Sequence, residues 1–326
     1  VKKHLPIAAV AAATLVLAGC ASGSDDDASE SPTPTTSAGA GGDATDFGAA
    51  EDVAMLDEIT WEEDDEGIPT LTVATPSTVS GTATRIVEDG DGAAVESGQV
   101  VTVNYTITSG TDGSQLFSTY ESEAPESLLV SETSLEPALY NALAGSSVGS
   151  DVIFATIDQT ATDTPNAAIF MAMTITDVID PLDRAEGEAV DPAEGVPSVT
   201  LDEETGAPSV EIGDAEMPTE LVVQQLIEGP ADGEVVELGD TVVAHYTGWI
   251  WDGEKFDSSW DRSEPSLFAF QEGQLIQGWT DGLAGQTVGS QVLLVVPPEL
   301  GYGEQDRDPI PPGSTLVFVV DILAVA

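Results

Sequence analysis

The sequence predicts an α+β chain of two similar domains, each an antiparallel β-sheet with one short helix on one face. Three observations carry that prediction. Blocks of sequence recur in the same order: LAGSSVGS at 143–150 returns 140 residues later as LAGQTVGS at 283–290. VVTVNYTI (100–107) likewise matches TVVAHYTG (241–248), DGSQLF (112–117) matches DGEKF (252–256), and GIPTLTV (67–73) resembles GVPSVTL (195–201). Repeats of this kind mark duplicated structural units. The copies are also rich in β-branched residues with partial alternation, and only one stretch in the second copy carries a helical period.

In chain order, the second copy gives strands over Glu220–Glu228 and Asp240–Ile250. Asp252-Gly253 then supplies a hairpin turn signal. A helix is expected over Ile276–Ala284, where Ile276, Trp279 and Leu283 share a face and Gly285 stops it. Strands follow over Ser290–Val296 and Ser314–Leu323. The 326 residues divide into repeats at 61–182 and 186–326, joined by the acidic, Pro-containing segment Pro181–Pro197.

Ahead of the repeats, Lys2 and Lys3 precede an apolar run from Leu5 to Ala18, the pattern of a secretory signal over residues 1–19. That run is too short for a stable membrane span. It ends in Leu17-Ala18-Gly19-Cys20, which resembles a bacterial lipobox, and Cys20 is the only cysteine. A lone cysteine in an exported chain cannot form an internal disulfide, so lipidation at Cys20 is the expectation. Residues 20–60, dominated by Ser, Thr, Ala, Gly, Asp and Pro, read as a disordered tether from a lipid at the outer face of the cell membrane.

Charge removes several functions. With 59 acidic residues, 7 basic ones and a net charge of −52, the chain lacks the cations that nucleic-acid phosphates or anionic lipid headgroups require. The acid is read as a solvated, repelling surface. Asp25-Asp26-Asp27 lacks the spacing of a calcium loop, and no paired metal-ligand spacing, nucleophile elbow or phosphate loop occurs. No cofactor or metal is expected. His245 lies inside a strand and reads as a core or sheet-face residue rather than a catalytic base.

The segment HYTGWIWDGEKFDSSWDR (245–262) breaks this acidic pattern, with Lys255, Arg262 and five aromatic residues. Together with LIQGW (275–279), LVVPPELGYG (294–303) and PIPPGSTLVFVVDIL (309–323), it resembles the FKBP-type peptidyl-prolyl cis-trans isomerases over about Val222–Val325. The resemblance implies a curled antiparallel sheet around one short helix in each repeat, with an apolar cleft for a proline ring. It places Trp279 at the floor, Tyr246, Phe256 and Phe318 in the walls, and Leu275 and Ile276 at the lip. Asp257 and Arg262 match a charged pair beside the cleft, Tyr302 a loop hydroxyl, and Ile310 an apolar residue of an overhanging loop. Phe268 and Phe270 are both candidates for a further strand aromatic, with Phe268 favoured. Acid and Arg307 stand in the Glu304–Pro309 loop where the family often has histidine. Taken singly, each aromatic reads as core; as an ordered set they read as a pocket. Trp249, Trp251, Trp260 and Lys255 receive no role beyond packing or the rim.

The first repeat keeps Tyr105 and Phe117 but is expected to place Ser118 where Asp257 stands and Glu123 near the position of Arg262. Leu139 replaces Trp279, and Thr160–Ala168 offers no tyrosine like Tyr302. It reads as a degenerate copy, a spacer or protein-binding unit. The resemblance thus implies an isomerase acting through its C-terminal repeat on proline-containing exported polypeptides, with the family's macrolides as candidate ligands. The alternative is a non-catalytic binding or chaperone module. The sequence leaves the oligomeric state open.

Overall fold

The structure is a computed structural model that describes residues 46–251 and 253–326. The signal segment, Cys20, the tether up to residue 45 and Asp252 lie outside the described residues. The first half contains β1 (Asp46–Gly48), α1 (Ala50–Leu56), β2 (Thr60–Glu63), β3 (Pro69–Thr72), β4 (Ala83–Glu88) and β5 (Val100–Ser109). It continues with β6 (Gln115–Ser118), α2 (Thr119–Ser122), β7 (Glu126–Leu129), α3 (Pro137–Leu143), β8 (Asp151–Ile157) and β9 (Ala168–Ile179). The second half contains β10 (Glu188–Ala189), β11 (Ser198–Leu201), β12 (Pro208–Glu211), β13 (Val222–Glu228) and β14 (Thr241–Ile250). After these come β15 (Lys255–Ser258), β16 (Ser266–Ala269), α4 (Gln277–Leu283), β17 (Gln291–Val296) and β18 (Leu316–Val325).

Both halves build the same antiparallel sheet. The order is β1-β4-β8-β9-β5-β6 in the first, with β7 also on β5, and β10-β13-β17-β18-β14-β15 in the second, with β16 on β14. A separate two-stranded hairpin, β2–β3 or β11–β12, precedes each. The repeated blocks seen in the sequence therefore occupy corresponding strands and turns.

Two expectations are corrected. The tether does not extend to residue 60: β1 pairs with β4, and Leu56 and Ile59 are buried with Leu71, Ala83 and Phe170. Val53, Leu56 and Ile59 give this otherwise polar stretch one short apolar face, and the Arg85 guanidinium donates to the Leu56 carbonyl at 2.7 Å. The first half thus includes residues 46–60. Nor does it hold a single helix, since α1 and the one-turn α2 accompany α3; the second half has α4 and two 3₁₀ turns, Trp260–Arg262 and Pro298–Leu300.

In the second half, Val242, Ala244 and Tyr246 on β14 and Leu316, Phe318, Val320 and Ile322 on β18 face α4 in one core. The helix lies close to β17. A methyl group at Gly278 would come within 2.5 Å of Val296, and one at Gly282 within 2.6 Å of Leu294. The opposite face of the sheet is covered as well. Trp249, Leu293, Val295, Val317 and Val319 pack with Val199 and Val210 of the β11–β12 hairpin. Val243, Leu323 and Ala324 pack with Val100 and Leu129 of the first half. Burial on both faces explains why β17 and β18 read as continuous apolar runs rather than alternating ones.

Between those two apolar groups runs a buried polar row. Gln291, Asp321 and His245 are neighbours across β17, β18 and β14. Asp321 accepts from the Gln291 side chain at 2.7 Å and from the Ala185 backbone N–H at 2.9 Å. The chain joining the halves is therefore seated on the second sheet: Leu182 N–H also reaches Leu323 O at 3.2 Å, and Glu186 N–H reaches Gly289 O at 2.9 Å. His245 Nδ1 shares a 2.9 Å hydrogen bond with Ser259 Oγ, and its ring stacks on Trp260 at 4.0 Å.

Burial pushes Asp321 up to about 6, and burial together with the Arg262 charge pushes His245 down to about 4. Their effects on stability oppose each other. Asp321 holds its proton more tightly folded than unfolded, so its contribution is present below about pH 4 and lost as pH rises through about 6, on the order of 3 kcal/mol. His245 does the reverse: its contribution is present above about pH 6.5 and lost as pH falls through about 4. Denaturant unfolding of the full chain between pH 4 and 7 should show this. Relative to the parent, Asp321→Asn should gain stability more steeply as pH rises, and His245→Gln less steeply. Identical slopes in all three proteins would contradict the assigned environments.

Candidate functional site

A cleft of about 380 Å³ opens on the inner face of the second sheet, between α4, β15, β16 and the loop from β17 to β18. Gly248 makes its wall possible. A methyl group there would lie 2.5 Å from the Phe256 ring and 2.9 Å from the Phe318 ring. Only a glycine lets those rings meet edge to face over β14, at 5.7 Å and 87°. The register between β14 and β15 slips at Gly248/Trp249, so that Asp257 pairs with Gly248, Lys255 with Trp249, and Phe256 is the extra residue. The bulge brings two consecutive side chains, Phe256 and Asp257, to the same cleft, which a regular strand would send to opposite faces.

Trp279, buried on α4, forms the base. Tyr246, Phe268 and Phe318 surround it with ring centroids at 5.6, 4.8 and 5.4 Å. Phe268 is the strand aromatic that lines the cleft, whereas Phe270 is fully buried in the core. Leu275 and Ile276 line the cleft just before α4, and Tyr302 lines it from the turn after Pro298–Leu300. Two further members of the set stand outside the lining. Ile310 is packed into the core cluster and is not among the lining residues, because its loop folds back through hydrogen bonds with the backbone of Arg307. Arg262 is paired with Asp257 beside the cleft and is not among the lining residues.

The polar edge is a connected set. Arg262 Nη1 donates to Asp257 Oδ1 at 2.6 Å, Arg262 Nη2 approaches the Tyr246 hydroxyl at 3.3 Å, and that hydroxyl donates to Asp257 Oδ2. Burial alone would raise the Asp257 carboxyl, but the hydrogen bonds from Tyr246 and Arg262 outweigh it and hold the group below its ordinary range. Burial and the bond to Asp257 push Tyr246 up to about 12. The Asp257 and Arg262 side chains are 39% and 49% exposed, so the pair adds little to stability; its effect is to fix orientation and charge. Ser259 Oγ ties this edge to the polar row behind the sheet, because it accepts from Tyr246 N–H at 2.8 Å and bonds His245. An aromatic box with the Tyr246 and Tyr302 hydroxyls and an internally neutralised carboxylate suits binding and conformational selection.

Sequence reasoning did not assign Gly273, Gln274, Gln277, Gly301 or Arg307 to the lining. Backbone loops bring most of them there, and nothing in their residue types signals it. Arg307 is the exception: it is a cation in an acidic loop, with its guanidinium 4.5 Å from the Tyr302 ring.

The corresponding face of the first half differs, and its register corrects two sequence alignments. Phe117 pairs with Ile107 as Asp257 pairs with Gly248, so Phe117 rather than Ser118 occupies the Asp257 position. The extra residue of that bulge is Leu116, which shifts the match by one. Ser122, preceding left-handed Glu123, stands where Arg262 precedes left-handed Ser263. Leu128, Leu139 and Met171 take the places of Phe268, Trp279 and Phe318. The loop from β8 to β9 spans only residues 158–167, against 297–315 in the second half. Tyr105 keeps its strand position but donates instead to Glu126, at 2.7 Å.

Comparison with known proteins places this cleft in a family. The model for the FKBP-type peptidyl-prolyl cis-trans isomerases matches residues 233–323. An FK506-binding protein of Streptomyces anulatus is 42% identical over 113 residues, which cover 34% of this chain and 90% of the relative. FK506-binding protein 2B of Rhizopus delemar is 54% identical over 114 residues, or 34% of this chain and 54% of the relative, so the chain spans about half of that protein's length. Among solved structures, FkpA from Escherichia coli matches at 38% identity and a TM-score of 0.31, covering 41% of this chain and 52% of that one. The chain belongs to the family of FKBP-type peptidyl-prolyl cis-trans isomerases, with the family's domain at its C-terminal end.

Proposed function

We propose that the chain is a peptidyl-prolyl cis-trans isomerase whose second half turns X–Pro bonds in exported polypeptides, and that its first half is a degenerate FKBP-like domain without that activity. The observation that carries the reading is the complete aromatic box, Trp279 with Tyr246, Phe256, Phe268 and Phe318, beside the Tyr246–Asp257–Arg262 network. The X–Pro bond is held planar by resonance, with a barrier of about 18–20 kcal/mol, and exchanges in tens to hundreds of seconds. Resonance places negative charge on the imide oxygen, which water stabilises. A cleft walled by rings removes that water and so favours the twisted, less polar transition state. The rings hold the pyrrolidine while the preceding carbonyl turns, and Tyr302 offers a hydroxyl from the loop. In the first half Leu128, Leu139 and Met171 replace three of these rings with aliphatic side chains.

Location belongs to the same proposal. The lipobox ending at Cys20 and the polar tract after it would hold the protein at the outer face of the cell membrane, where emerging chains need folding help. A second reading is a non-catalytic protein-binding or chaperone module. The first half favours it to this extent: it keeps the strand frame and Tyr105 while leaving Leu116 and Phe117 exposed.

Three measurements test these assignments. The full chain should accelerate cis-to-trans exchange of a Pro-containing peptide. Trp279→Leu, which installs the first half's residue, should cut kcat/KM at least tenfold, about 1.4 kcal/mol or more, with the circular dichroism of the fold retained. No acceleration by the parent, with macrolide or peptide binding still visible in tryptophan fluorescence, would favour the binding module. Because Asp257 stays ionised and Tyr246 protonated, kcat/KM should be flat from about pH 5.5 to 9. A limb inside that range would mean that a different group controls the cleft. For the anchor, intact mass of the membrane-extracted protein should show a chain beginning at a diacylglycerol-modified Cys20; an unmodified chain retaining residues 1–19 would refute it.

A further inference from the structure

Arg307 is a charge in the cleft that the Tyr246–Asp257–Arg262 network does not use. The described residues include five basic side chains. Arg85, Lys255 and Arg262 are paired with Asp57, Asp261 and Asp257, and Arg184 acts on buried Asp321. No carboxylate among the described residues lies within 4.0 Å of the Arg307 guanidinium, although Asp306 and Asp308 flank it and the chain holds 59 acidic residues. Instead it lies over the Tyr302 ring at 4.5 Å and lines the cleft.

The other lining charge, Asp257, is neutralised by Arg262, so Arg307 leaves the cleft with one uncompensated positive charge inside a strongly acidic protein. Exposed Glu304, Asp306 and Asp308 stand near it in the chain but outside the lining. Among the described residues the guanidinium makes no side-chain hydrogen bond, which leaves its N–H donors for a ligand; such donors match a carboxylate in bidentate geometry.

We propose that Arg307 makes the cleft selective for X–Pro segments that carry a carboxylate side chain directly beside the proline. This rests on the reading of the cleft as an X–Pro site and adds the substrate class that the site prefers. Glu or Asp next to proline gains the Arg307 contact, whereas Lys or Arg there loses by repulsion. The aromatic box reads the ring, and Arg307 reads its neighbour.

The test uses the full chain and its Arg307→Gln and Arg307→Lys variants with two pairs of peptides. Within each pair the peptides differ only in Glu against Gln, placed before the proline in one pair and after it in the other. Both kcat/KM and affinity, the latter from tryptophan fluorescence, are measured at low salt and at high salt. In at least one pair the parent should favour Glu about two- to fivefold, the range of a partly exposed ion pair, and the preference should fade in high salt. Arg307→Gln should bring the ratio to one or below, and Arg307→Lys should retain part of it because charge remains but the planar fork does not. Any general effect of the substitution on the cleft cancels in the ratio. A parent ratio of one in both pairs overturns the assignment. So does a loss in Arg307→Gln that is equal for Glu and Gln peptides, which would make Arg307 a brace for Tyr302. If no peptide is isomerised, the isomerase reading fails by itself, and the Glu-to-Gln affinity ratio still decides the role of Arg307.

Discussion

Burial of the second sheet on both faces is the constraint from which the rest of this half follows. Leu293, Val295, Val317 and Val319 need cover as much as Leu294, Val296, Phe318 and Val320 do, and one short helix can serve only the inner set. The β11–β12 hairpin, the joining segment 182–186 and the first half supply the outer cover. The joining segment therefore behaves as part of the second half's structure rather than as a loose link. Asp321 and His245 carry the cost of that arrangement, because the strand frame buries ionisable groups that water would otherwise solvate. Hydrogen bonds from Gln291, Ala185 N–H and Ser259 offset the cost, and they stitch the joining segment and the turn after β15 to the sheet.

The cleft inherits its definition from this rigid sheet. Most of its rings come from β14, β15, β16, α4 and β18, the strands among them held by ladder hydrogen bonds, while Gly273–Ile276, Tyr302 and Arg307 reach it from loops. Two local devices shape it. The bulge after Gly248 turns both Phe256 and Asp257 toward the cleft, and the missing side chain at Gly248 admits the Phe256–Phe318 contact. The Asp257 carboxylate remains charged beside apolar rings because Tyr246 and Arg262 solvate it in place of water.

How much of this was legible depended on whether the signal was local. Strands β13, β14, β17 and β18 and helix α4 lie within two or three residues of their expected limits, because β-branched runs and the Ile276–Trp279–Leu283 spacing are local patterns. The choice between Phe268 and Phe270 was not readable from composition. Both are aromatic residues two positions apart, so alternation along a strand would give them the same face, but β16 ends at Ala269 and Phe270 lies beyond it, buried in the core. Residues 46–60 were misread because their few apolar side chains become significant only once β4 offers an edge and Phe170 a surface. The alignment of Ser118 with Asp257 failed for a related reason: a bulge adds a residue to one strand, and sequence matching alone does not say which residue is the extra one.

The two halves show that the demands of folding and of the cleft are separable. Leu128, Leu139 and Met171 supply apolar volume where Phe268, Trp279 and Phe318 stand, so the core requirement of the strand frame is met without rings at those three positions. Flat walls are a stricter requirement than apolar ones, since ring faces define a slot while Leu and Met fill space. The loop 297–315 is likewise dispensable for the sheet, because β8 and β9 pair as a hairpin across residues 158–167 without it. What distinguishes the second half is thus a small set of ring-for-aliphatic differences, a polar trio and one long loop laid over a frame that both halves share. Arg307 belongs to that loop. Its position above Tyr302 means that the only uncompensated positive charge at the cleft stands on the part of the structure the sheet needs least.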